Sequence, residues 1–250
     1  MITDLSRGLS APRRWRPSRL SGLRLWLSAD RISGLADGDP VSTWSDLSGQ
    51  GNHATQSTTA AKPLYKTGIV AGRPAVLFDG VDDWLALTAA VGTILTSDAK
   101  TVFAVVKMVA TTNNSRIVNV PNAAVSSTRF ALNINATPQW QTFYTTGASA
   151  TNFTWTSGAA PTTSVAQILE VVQNGTSVIG RLNGTQGNSV NDGGSEAAGA
   201  GAALGSSTGG SSGFANAYIL EVVVYNRALS TTEASAVRRY LGARYGLTVS

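Results

Sequence analysis

FANAYILEVVVYNRALSTTEASAVRRYLGARYG, residues 214–246, predicts a β-strand that runs through a short turn into an α-helix. Apolar side chains occupy alternate positions in its first part: Tyr218, Leu220, Val222 and Val224. Glu221 lies between them, and therefore on the opposite face of a strand. A period of two with β-branched residues is typical of a strand that packs one face on a core.

The second half of this stretch carries the signals that begin and end a helix. Ser230 is followed three residues later by Glu233, which is the spacing of a capping box. Gly246 can end the helix in a left-handed conformation. Between them, apolar residues recur at helical spacing: Ala234, Val237, Leu241 and Tyr245. We therefore expect this strand to complete a sheet that upstream segments form.

The composition favours an all-β domain. Charged residues make up 13% of the 250 residues and there are 26 glycines, whereas helical periodicity is nearly absent before the C-terminal helix. Many short strands joined by tight turns have such a composition, and sandwiches of this length often form one domain. The chain has no cysteine, which excludes disulfides and thiolate chemistry and favours folding in a reducing cytoplasm.

Two further segments predict local structure. Asn174-Gly175 between two apolar runs is a strong signal for a β-hairpin. Residues 184–213 contain ten glycines and resemble a long loop. Because a structureless loop of this length is unusual in a compact domain, we expect part of it to form an edge strand or a contact made on assembly.

Positive charge is concentrated at the N-terminus. Residues 1–31 hold seven arginines against two aspartates, whereas the remainder has equal numbers of basic and acidic residues. We predict a basic extended arm over residues 1–20 that docks on a neighbouring protein, or else a loose tail. The candidate docking residues are Arg7, Arg13, Arg14, Trp15, Arg16 and Arg19. Their spacing matches no nucleic-acid-binding motif, so nucleic acid is not the expected partner.

Several functions lack a signal in the sequence. No apolar run reaches 18 residues and no signal peptide is evident, so we expect neither a membrane span nor a secretion signal. His53 is the only histidine, which excludes a site with several histidine ligands, and we interpret it as a polar loop residue. The motifs of nucleotide-binding loops, zinc proteases and serine esterases are absent as well.

Four ordered motifs carry a resemblance to a known family: LRLWLSAD at 23–30, WSDLSGQGNHATQ at 44–56, GRPAVLFDGVDDWL at 72–85 and EVVVYNRALSTTE at 221–233. They resemble the concanavalin A-like lectin/glucanase superfamily, in its laminin-G-like branch, over roughly residues 23–247. The resemblance implies a jelly roll of two antiparallel sheets over residues 21–250, with one C-terminal α-helix. Such modules occur in bacterial surface proteins, polysaccharide-active enzymes and phage virion proteins.

Glycoside hydrolysis is the enzymatic hypothesis that this resemblance raises. The reaction needs two carboxylates about 5 to 10 Å apart. Glu170 and Glu221 lie on predicted strands and could share the concave face, whereas Glu233 belongs to the capping box and Glu196 to the glycine-rich segment. The superfamily's glucanases carry the cluster E-x-D-x-x-E, which this sequence lacks. We therefore predict that the chain is not an enzyme.

Two kinds of binding site have candidate residues. Asp79, Asp82 and Asp83 offer carboxylate oxygens in one turn, as a calcium site would, although calcium takes six to eight oxygens. For a glycan, the sequence offers aromatic faces at Trp84 and Phe153 and, as the predicted glycan-facing set, at Trp140, Tyr144 and Trp155. Packing in the core or at a sheet edge is the simpler alternative for most of these aromatics.

The hypothesis that we favour from the sequence is a non-catalytic structural protein of a virion. The module has no catalytic cluster and no cysteine, and it begins with a basic segment suited to docking on an assembly. We expect a phage capsid decoration protein that contacts capsid proteins and copies of itself, with a homotrimer as a plausible form. The alternative is a carbohydrate-binding or adhesion module for surface glycans, and a glycoside hydrolase ranks behind it.

Overall fold

A computed structural model describes residues 15–111, 114–121, 128–135, 137–146, 149–154, 160–191, 201–207 and 209–250. Over these residues, sixteen β-strands form two antiparallel sheets of eight strands each. The sheets pack face to face, and a helix of 15 residues follows the last strand. The predicted all-β sandwich with a C-terminal helix is confirmed.

The first sheet has the strand order β14-β13-β12-β7-β16-β5-β4, and β1 pairs with the second half of β16. Its strands are β1 (Leu23–Ser28), β4 (Leu64–Val70), β5 (Arg73–Asp79), β7 (Ala99–Met108), β12 (Gln167–Asn174), β13 (Ser177–Leu182), β14 (Thr185–Asn191) and β16 (Asn216–Tyr225).

The second sheet has the order β11-β10-β9-β8-β15-β6-β3-β2. Its strands are β2 (Thr43–Trp44), β3 (Ala54–Thr55), β6 (Leu85–Leu87), β8 (Arg116–Pro121), β9 (Thr128–Ile134), β10 (Trp140–Thr146), β11 (Ser149–Thr154) and β15 (Ala202–Leu204). The two α-helices in the described residues are α1 (Ala89–Leu95) and α2 (Thr231–Tyr245). The short helix α1 was not predicted.

The main core lies between the sheets and is formed by alternate residues of their strands. Strand β16 contributes Val222 and Val224 to this core. On the other face of the first sheet, Leu220 and Val223 pack against α2 in a second core. The last strand is therefore buried on both faces, which explains its continuous run of apolar residues.

A β-bulge in β16 corrects the predicted pattern of alternation. The register shifts between Ile219 and Glu221, so Ile219 faces the main core whereas Leu220 and Glu221 both face α2. The even positions Tyr218 to Val224 therefore do not share one face. A bulge inserts one unpaired residue and reverses the side-chain alternation beyond it.

The helix α2 begins and ends as the sequence predicts. The Ser230 side chain accepts a hydrogen bond from the Glu233 backbone N–H, and the Glu233 carboxylate accepts one from the Ser230 N–H. Gly246 ends the helix with a φ of +66°. Val237 and Leu241 are fully buried on the first sheet, where each contributes about 1.5 to 3 kcal/mol of transfer free energy.

Residues 15–20 pack on the body of the protein. Trp15 lies 5.7 Å from the Tyr240 ring of α2, and the Tyr225 hydroxyl donates a 3.0 Å hydrogen bond to the Pro17 carbonyl. Pro17 and the next two residues form one turn of 3-10 helix. This part of the predicted arm is thus folded onto its own chain, because Trp15 and Leu20 complete the second core.

Two predictions for the glycine-rich and hairpin segments are refined. Strands β12 and β13 form the expected hairpin, but Asn174 pairs with Ser177, so the two-residue loop is Gly175-Thr176. Within residues 184–213, β14 is an edge strand as expected, whereas β15 lies inside the second sheet between β6 and β8.

Gly205 tests how tightly the sheets meet. It follows β15 with a φ of +81°, and a Cβ there would overlap with the buried Phe78 ring. We expect Gly205→Ala to lower the free energy of unfolding by about 2 to 4 kcal/mol, from backbone strain plus overpacking. Gly34 is the matched control, with a φ of +79° and open space around it, so its alanine variant should lose only about 1 kcal/mol. Urea unfolding that gives equal losses would contradict this packing.

Candidate functional site

The outer face of the second sheet is accessible at one edge, where β2, β3 and β6 lie side by side. Trp44, Ala54 and Leu85 of these strands point into the main core. Because side chains alternate along a strand, their neighbours lie on the outer face: Thr43, Thr55, Trp84 and Ala86.

A pocket of about 420 Å³ lies on this edge, and we name it the Trp84 pocket. Its wall carries five hydroxyl side chains and one indole: Ser42, Thr43, Thr55, Ser57, Thr58 and Trp84. Each hydroxyl can donate and accept a hydrogen bond, and the indole offers a flat apolar face with one N–H donor. This arrangement suits an uncharged ligand that carries both hydroxyl groups and apolar C–H surface.

The backbone of Trp84 is held in place by hydrogen bonds at both of its polar groups. The buried Gln56 amide donates a 3.1 Å hydrogen bond to the Trp84 carbonyl and accepts a 3.0 Å bond from the Thr58 N–H. The backbone N–H of Trp84 donates a 3.2 Å hydrogen bond to the Ala61 carbonyl. Gly210 approaches the indole so closely that a Cβ there would overlap with it. The pocket is therefore a pre-formed feature of the fold.

The middle of the same face is closed. Asn119, Ala131 and Ala203 point away from the main core, since their neighbours along each strand point into it. All three side chains are nevertheless buried. Among the side chains that the structure describes, the edge that carries the Trp84 pocket is therefore an accessible part of the outer face.

Of the predicted glycan-facing aromatics, Trp140 does not contribute to this site. Trp140 is 1% exposed in the main core, where its indole N–H donates a 3.0 Å hydrogen bond to Gln167, so that prediction is wrong. Its place at the start of β10 puts the ring on the inner side of the sheet. Trp155 and the side chain of Tyr144 lie outside the described residues.

The three predicted calcium ligands do lie together. Carboxylate oxygens of Asp79, Asp82 and Asp83 are within 4.8 Å of one another. The turn already uses two of the oxygens: Asp79 accepts from the Val81 N–H at 2.8 Å, and Asp83 accepts from the Asp79 N–H at 2.9 Å. The remaining oxygens fit part of a calcium shell, so calcium at this turn stays a proposal.

Asp83 is the buried member of this group. Burial raises the pKa of Asp83 from 3.8 to about 6, and the negative charges of Asp79 and Asp82 add to the rise, while the hydrogen bond from the Asp79 N–H opposes it. At neutral pH the Asp83 carboxylate is therefore ionised although it is buried, and this lowers the stability of the fold. A proton or a bound cation would offset the loss of stability.

Glu170 and Glu221, the two carboxylates that the glycoside hydrolase hypothesis would need, share one face of the first sheet, but α2 covers that face. Glu170 is fully buried between Arg181 at 2.9 Å and Arg238 at 2.7 Å. The fully buried Glu221 is equally occupied, as its partners are Trp26, Arg244 and Tyr245. The hydrolase hypothesis requires them to face an open cleft, and this requirement is not met because the helix packs on them.

The predicted docking residues fall into two groups. Arg7, Arg13 and Arg14 lie outside the described residues. Arg16 and Arg19 are exposed, whereas Trp15 packs on Tyr240 and so belongs to the body. His53 is a loop residue, as predicted, and its Nδ1 accepts a 3.0 Å hydrogen bond from the Asp46 N–H.

Comparison with known families identifies the fold. A family model of the concanavalin A-like lectin/glucanases superfamily matches residues 79–235, more than half of the sequence. The chain belongs to this superfamily. A search of curated proteins gives no significant match. In the described residues, no helix is long and apolar enough to cross a bilayer.

Solved structures with the same fold include a sialidase, a domain of an arabinanase and a toxin domain. Sialidase from Trypanosoma rangeli, in complex with sialic acid, matches with a TM-score of 0.64 and 16% identity, over 92% of this chain and 34% of that one. A second match is domain 4 of AbnA, a GH43 extracellular arabinanase from Geobacillus stearothermophilus, in complex with arabinotriose. Its TM-score is 0.62 at 15% sequence identity, and the match covers 86% of this chain and 98% of that one.

A third match is the receptor binding domain of botulinum neurotoxin mosaic serotype C/D, with a TM-score of 0.59 and 11% identity, over 88% of this chain and 51% of that one. The chain spans about a third of the length of the sialidase that it matches. At these identities the comparisons establish the fold.

The sequence indicates Trp84 as an aromatic face for a glycan but does not indicate the hydroxyl residues around it. A signal for the face was present, since Leu85 and Leu87 alternate with Trp84 and Ala86. Thr55 and Ser57 come from a distant motif, and only the pairing of Thr55 with Ala86 brings them beside Trp84.

We expect Asp83→Asn to stabilise the protein at pH 8 by about 1 to 3 kcal/mol. Because the pKa of Asp83 is higher in the folded state than in the unfolded state, the protonated side chain favours the fold. This contribution to stability is complete below the unfolded-state pKa and is lost as the pH rises through about 6. Asparagine removes the charge and keeps an oxygen for the Asp79 N–H. The gain should therefore disappear near about pH 4, where Asp83 is protonated. Urea unfolding at both pH values measures it.

The exposed Asp82 supplies the matched control, since Asp82→Asn should change the unfolding free energy by less than about 0.5 kcal/mol. A destabilised Asp83→Asn variant at pH 8 would contradict the burial cost. The same samples test calcium, which should raise the thermal midpoint of the natural chain more than that of Asp83→Asn. A midpoint that EGTA and calcium leave unchanged would rule out a stabilising calcium site.

Proposed function

We propose that this chain is a non-catalytic carbohydrate-binding module whose ligand occupies the Trp84 pocket. The observation that carries the proposal is the combination of one indole with five hydroxyl side chains on the accessible edge of the second sheet. The pocket volume of about 420 Å³ lies in the usual range for small-ligand sites.

The chemistry of the pocket matches that of a sugar ring. A pyranose or furanose presents several hydroxyls around its rim and a patch of C–H groups on its face. The patch can stack on the Trp84 ring, while the rim exchanges hydrogen bonds with Thr43, Thr55 and Thr58. Among the described residues, no charged side chain lines the pocket, which favours a neutral sugar over an acidic one.

The arabinanase domain supports the same proposal and suggests a first ligand. It matches this chain over 98% of its own length, and its structure is a complex with arabinotriose. The toxin match is a receptor binding domain, which again is a recognition function. Arabinotriose is therefore a sensible probe to combine with a wider glycan array.

The buried state of the glutamates supports a role without catalysis. A glycosidase needs one carboxyl group that can donate a proton and a second that can reach the sugar. In Glu170 both carboxylate oxygens are bonded to arginines, and in Glu221 both accept hydrogen bonds from buried side chains. Neither residue lines the Trp84 pocket.

Thr55→Ala tests the pocket without removing a packed side chain. Thr55 is exposed and faces the pocket, so we expect the variant to keep its thermal midpoint and to bind its glycan about 3- to 10-fold more weakly, as loss of one hydrogen bond predicts. Trp84→Ala should abolish detectable binding. A glycan array followed by titration calorimetry, with arabinotriose included, provides the measurement.

The matched control is Thr59→Ala, which removes an exposed threonine hydroxyl outside the pocket. Its affinity should equal that of the natural chain. The proposal fails if no glycan binds, or if Thr59→Ala weakens binding as much as Thr55→Ala does.

The structural role in a virion is the second candidate function. It is supported by the excess of arginine in residues 1–31 and by the anchoring of residues 15–20 on the body, which gives the preceding basic residues a fixed base. A capsid decoration protein would use this segment to dock on capsid proteins. Both functions can coexist, since a virion protein can also bind glycans.

Deleting residues 1–14 tests this second role, because it removes Arg7, Arg13 and Arg14 and keeps the packed residues 15–20. We expect the shortened chain to keep its thermal midpoint but to be lost from purified phage particles, as counted by quantitative mass spectrometry. Replacing the three arginines by lysine is the control, and it should preserve incorporation. Normal incorporation of the shortened chain would contradict a docking arm.

A further inference from the structure

A second pocket, of about 530 Å³, lies on the other side of the molecule, between α2 and the N-terminal segment. We name it the Arg239 pocket. It is lined by three arginines, two aromatic rings and two alanines: Trp15, Arg73, Ala236, Arg239, Tyr240, Ala243 and Arg244. The residues from α2 recur at helical spacing and form one face of the helix. The opposite face of α2 packs on the first sheet.

Two of the three guanidinium groups are held by buried or half-buried carboxylates. Arg73 pairs with Asp30 at 3.0 Å, and its Nε donates to the Arg244 carbonyl at 2.7 Å. Arg244 pairs with Asp30 and, at 3.0 Å, with Glu221. These contacts fix both side chains in the pocket wall.

The third guanidinium is available to a ligand. Arg239 is exposed and forms no ion pair with any carboxylate that the structure describes. Three guanidiniums against the two carboxylates of Asp30 and Glu221 leave the pocket with net positive charge. The Arg73 bond to the Arg244 carbonyl also reduces the negative potential at the C-terminal end of α2.

The aromatic side of the pocket defines the other half of the ligand. Trp15 and Tyr240 form a tilted pair with ring centroids 5.7 Å apart, and Tyr240 also contacts Trp26 edge to face. The pair is fixed by this packing, whereas both rings still border the pocket. A ligand that fits carries an anionic group for Arg239 and an apolar or aromatic group for Trp15 and Tyr240.

We propose that the Arg239 pocket binds an acidic peptide segment of a partner protein, with one carboxylate on Arg239 and an adjacent apolar side chain on Trp15 and Tyr240. Residues 1–14 of this chain are excluded as the occupant by charge, because they hold three arginines and one aspartate. A second copy of the chain would bring the same basic segment, and this disfavours self-association at the pocket. We assign the pocket to a different, acidic protein.

The charge pattern favours a peptide over nucleic acid. A nucleic acid backbone needs a row of free cations, each of which neutralises one phosphate. Two of the three arginines here are neutralised by Asp30 and Glu221, so the pocket suits one carboxylate and a second, weaker contact. The exposed Arg16, next to Trp15, can meet a further acidic residue of the same segment.

Fluorescence anisotropy with the full chain tests the proposal. The probe is a fluorescein-labelled peptide, Gly-Glu-Asp-Phe-Glu-Asp-Gly, and its matched form with glutamine and asparagine in place of the acids is the control. We expect the acidic peptide alone to bind, and Arg239→Ala to weaken it about 10-fold through loss of a charge-assisted hydrogen bond. Arg239→Lys should recover part of the affinity, and added salt should weaken binding.

Lys62→Ala is the charge-matched control, because it removes one cation far along the chain from the pocket and should leave the affinity unchanged. Absence of peptide binding, or equal affinity in Arg239→Ala, would overturn the proposal. So would tighter binding of an oligo-dT probe that Arg239→Ala abolishes, which would assign the pocket to phosphate instead. Since Arg239 is exposed, circular dichroism should show that its variants fold normally.

Discussion

A buried carboxylate on the last strand joins the parts of this protein that are most distant in sequence. Glu221 accepts a 2.7 Å hydrogen bond from the Trp26 indole and another from the Tyr245 hydroxyl, and it pairs with Arg244 at 3.0 Å. Burial raises the pKa of Glu221, and the nearby Arg244 opposes that rise. A charge without water is tolerable only when its partners are in place, so Glu221 fixes β1, β16 and α2 relative to one another.

This arrangement decides which surfaces can have a function. With α2 on the first sheet, the face that carries Glu170 and Glu221 is closed, and the outward face of α2 becomes a new surface beside Trp15. The second sheet has no such cover at its β2–β3–β6 edge, where Trp84 and several hydroxyls line a pocket. The molecule therefore offers a neutral, hydroxyl-rich pocket and a basic, aromatic pocket on different elements.

The sequence predicts the fold well because the fold depends on local patterns. The capping box at Ser230 and the left-handed Gly246 at the end of α2 appear in the structure where they are expected, whereas a bulge interrupts the predicted alternation in β16. The sites are predicted poorly because they depend on register and bulges. Trp140 was predicted to face a glycan at the surface, but its position in β10 places the ring in the main core. The strand pattern around Glu170 and Glu221 does not show that α2, a separate element, covers both side chains. The hydroxyls beside Trp84 come from a strand about 30 residues earlier.

We propose above all that the accessible edge of the second sheet binds a neutral glycan. The most direct test is to titrate the ¹⁵N-labelled protein with an oligosaccharide that binds in the glycan array and to record ¹H–¹⁵N NMR spectra. We expect the signals of the Trp84 indole N–H and of the backbone amides of Thr43, Thr55 and Thr58 to shift together, while signals from α2 stay in place. Shifts confined to α2 and residues 15–20, or no shifts with any oligosaccharide, would contradict it.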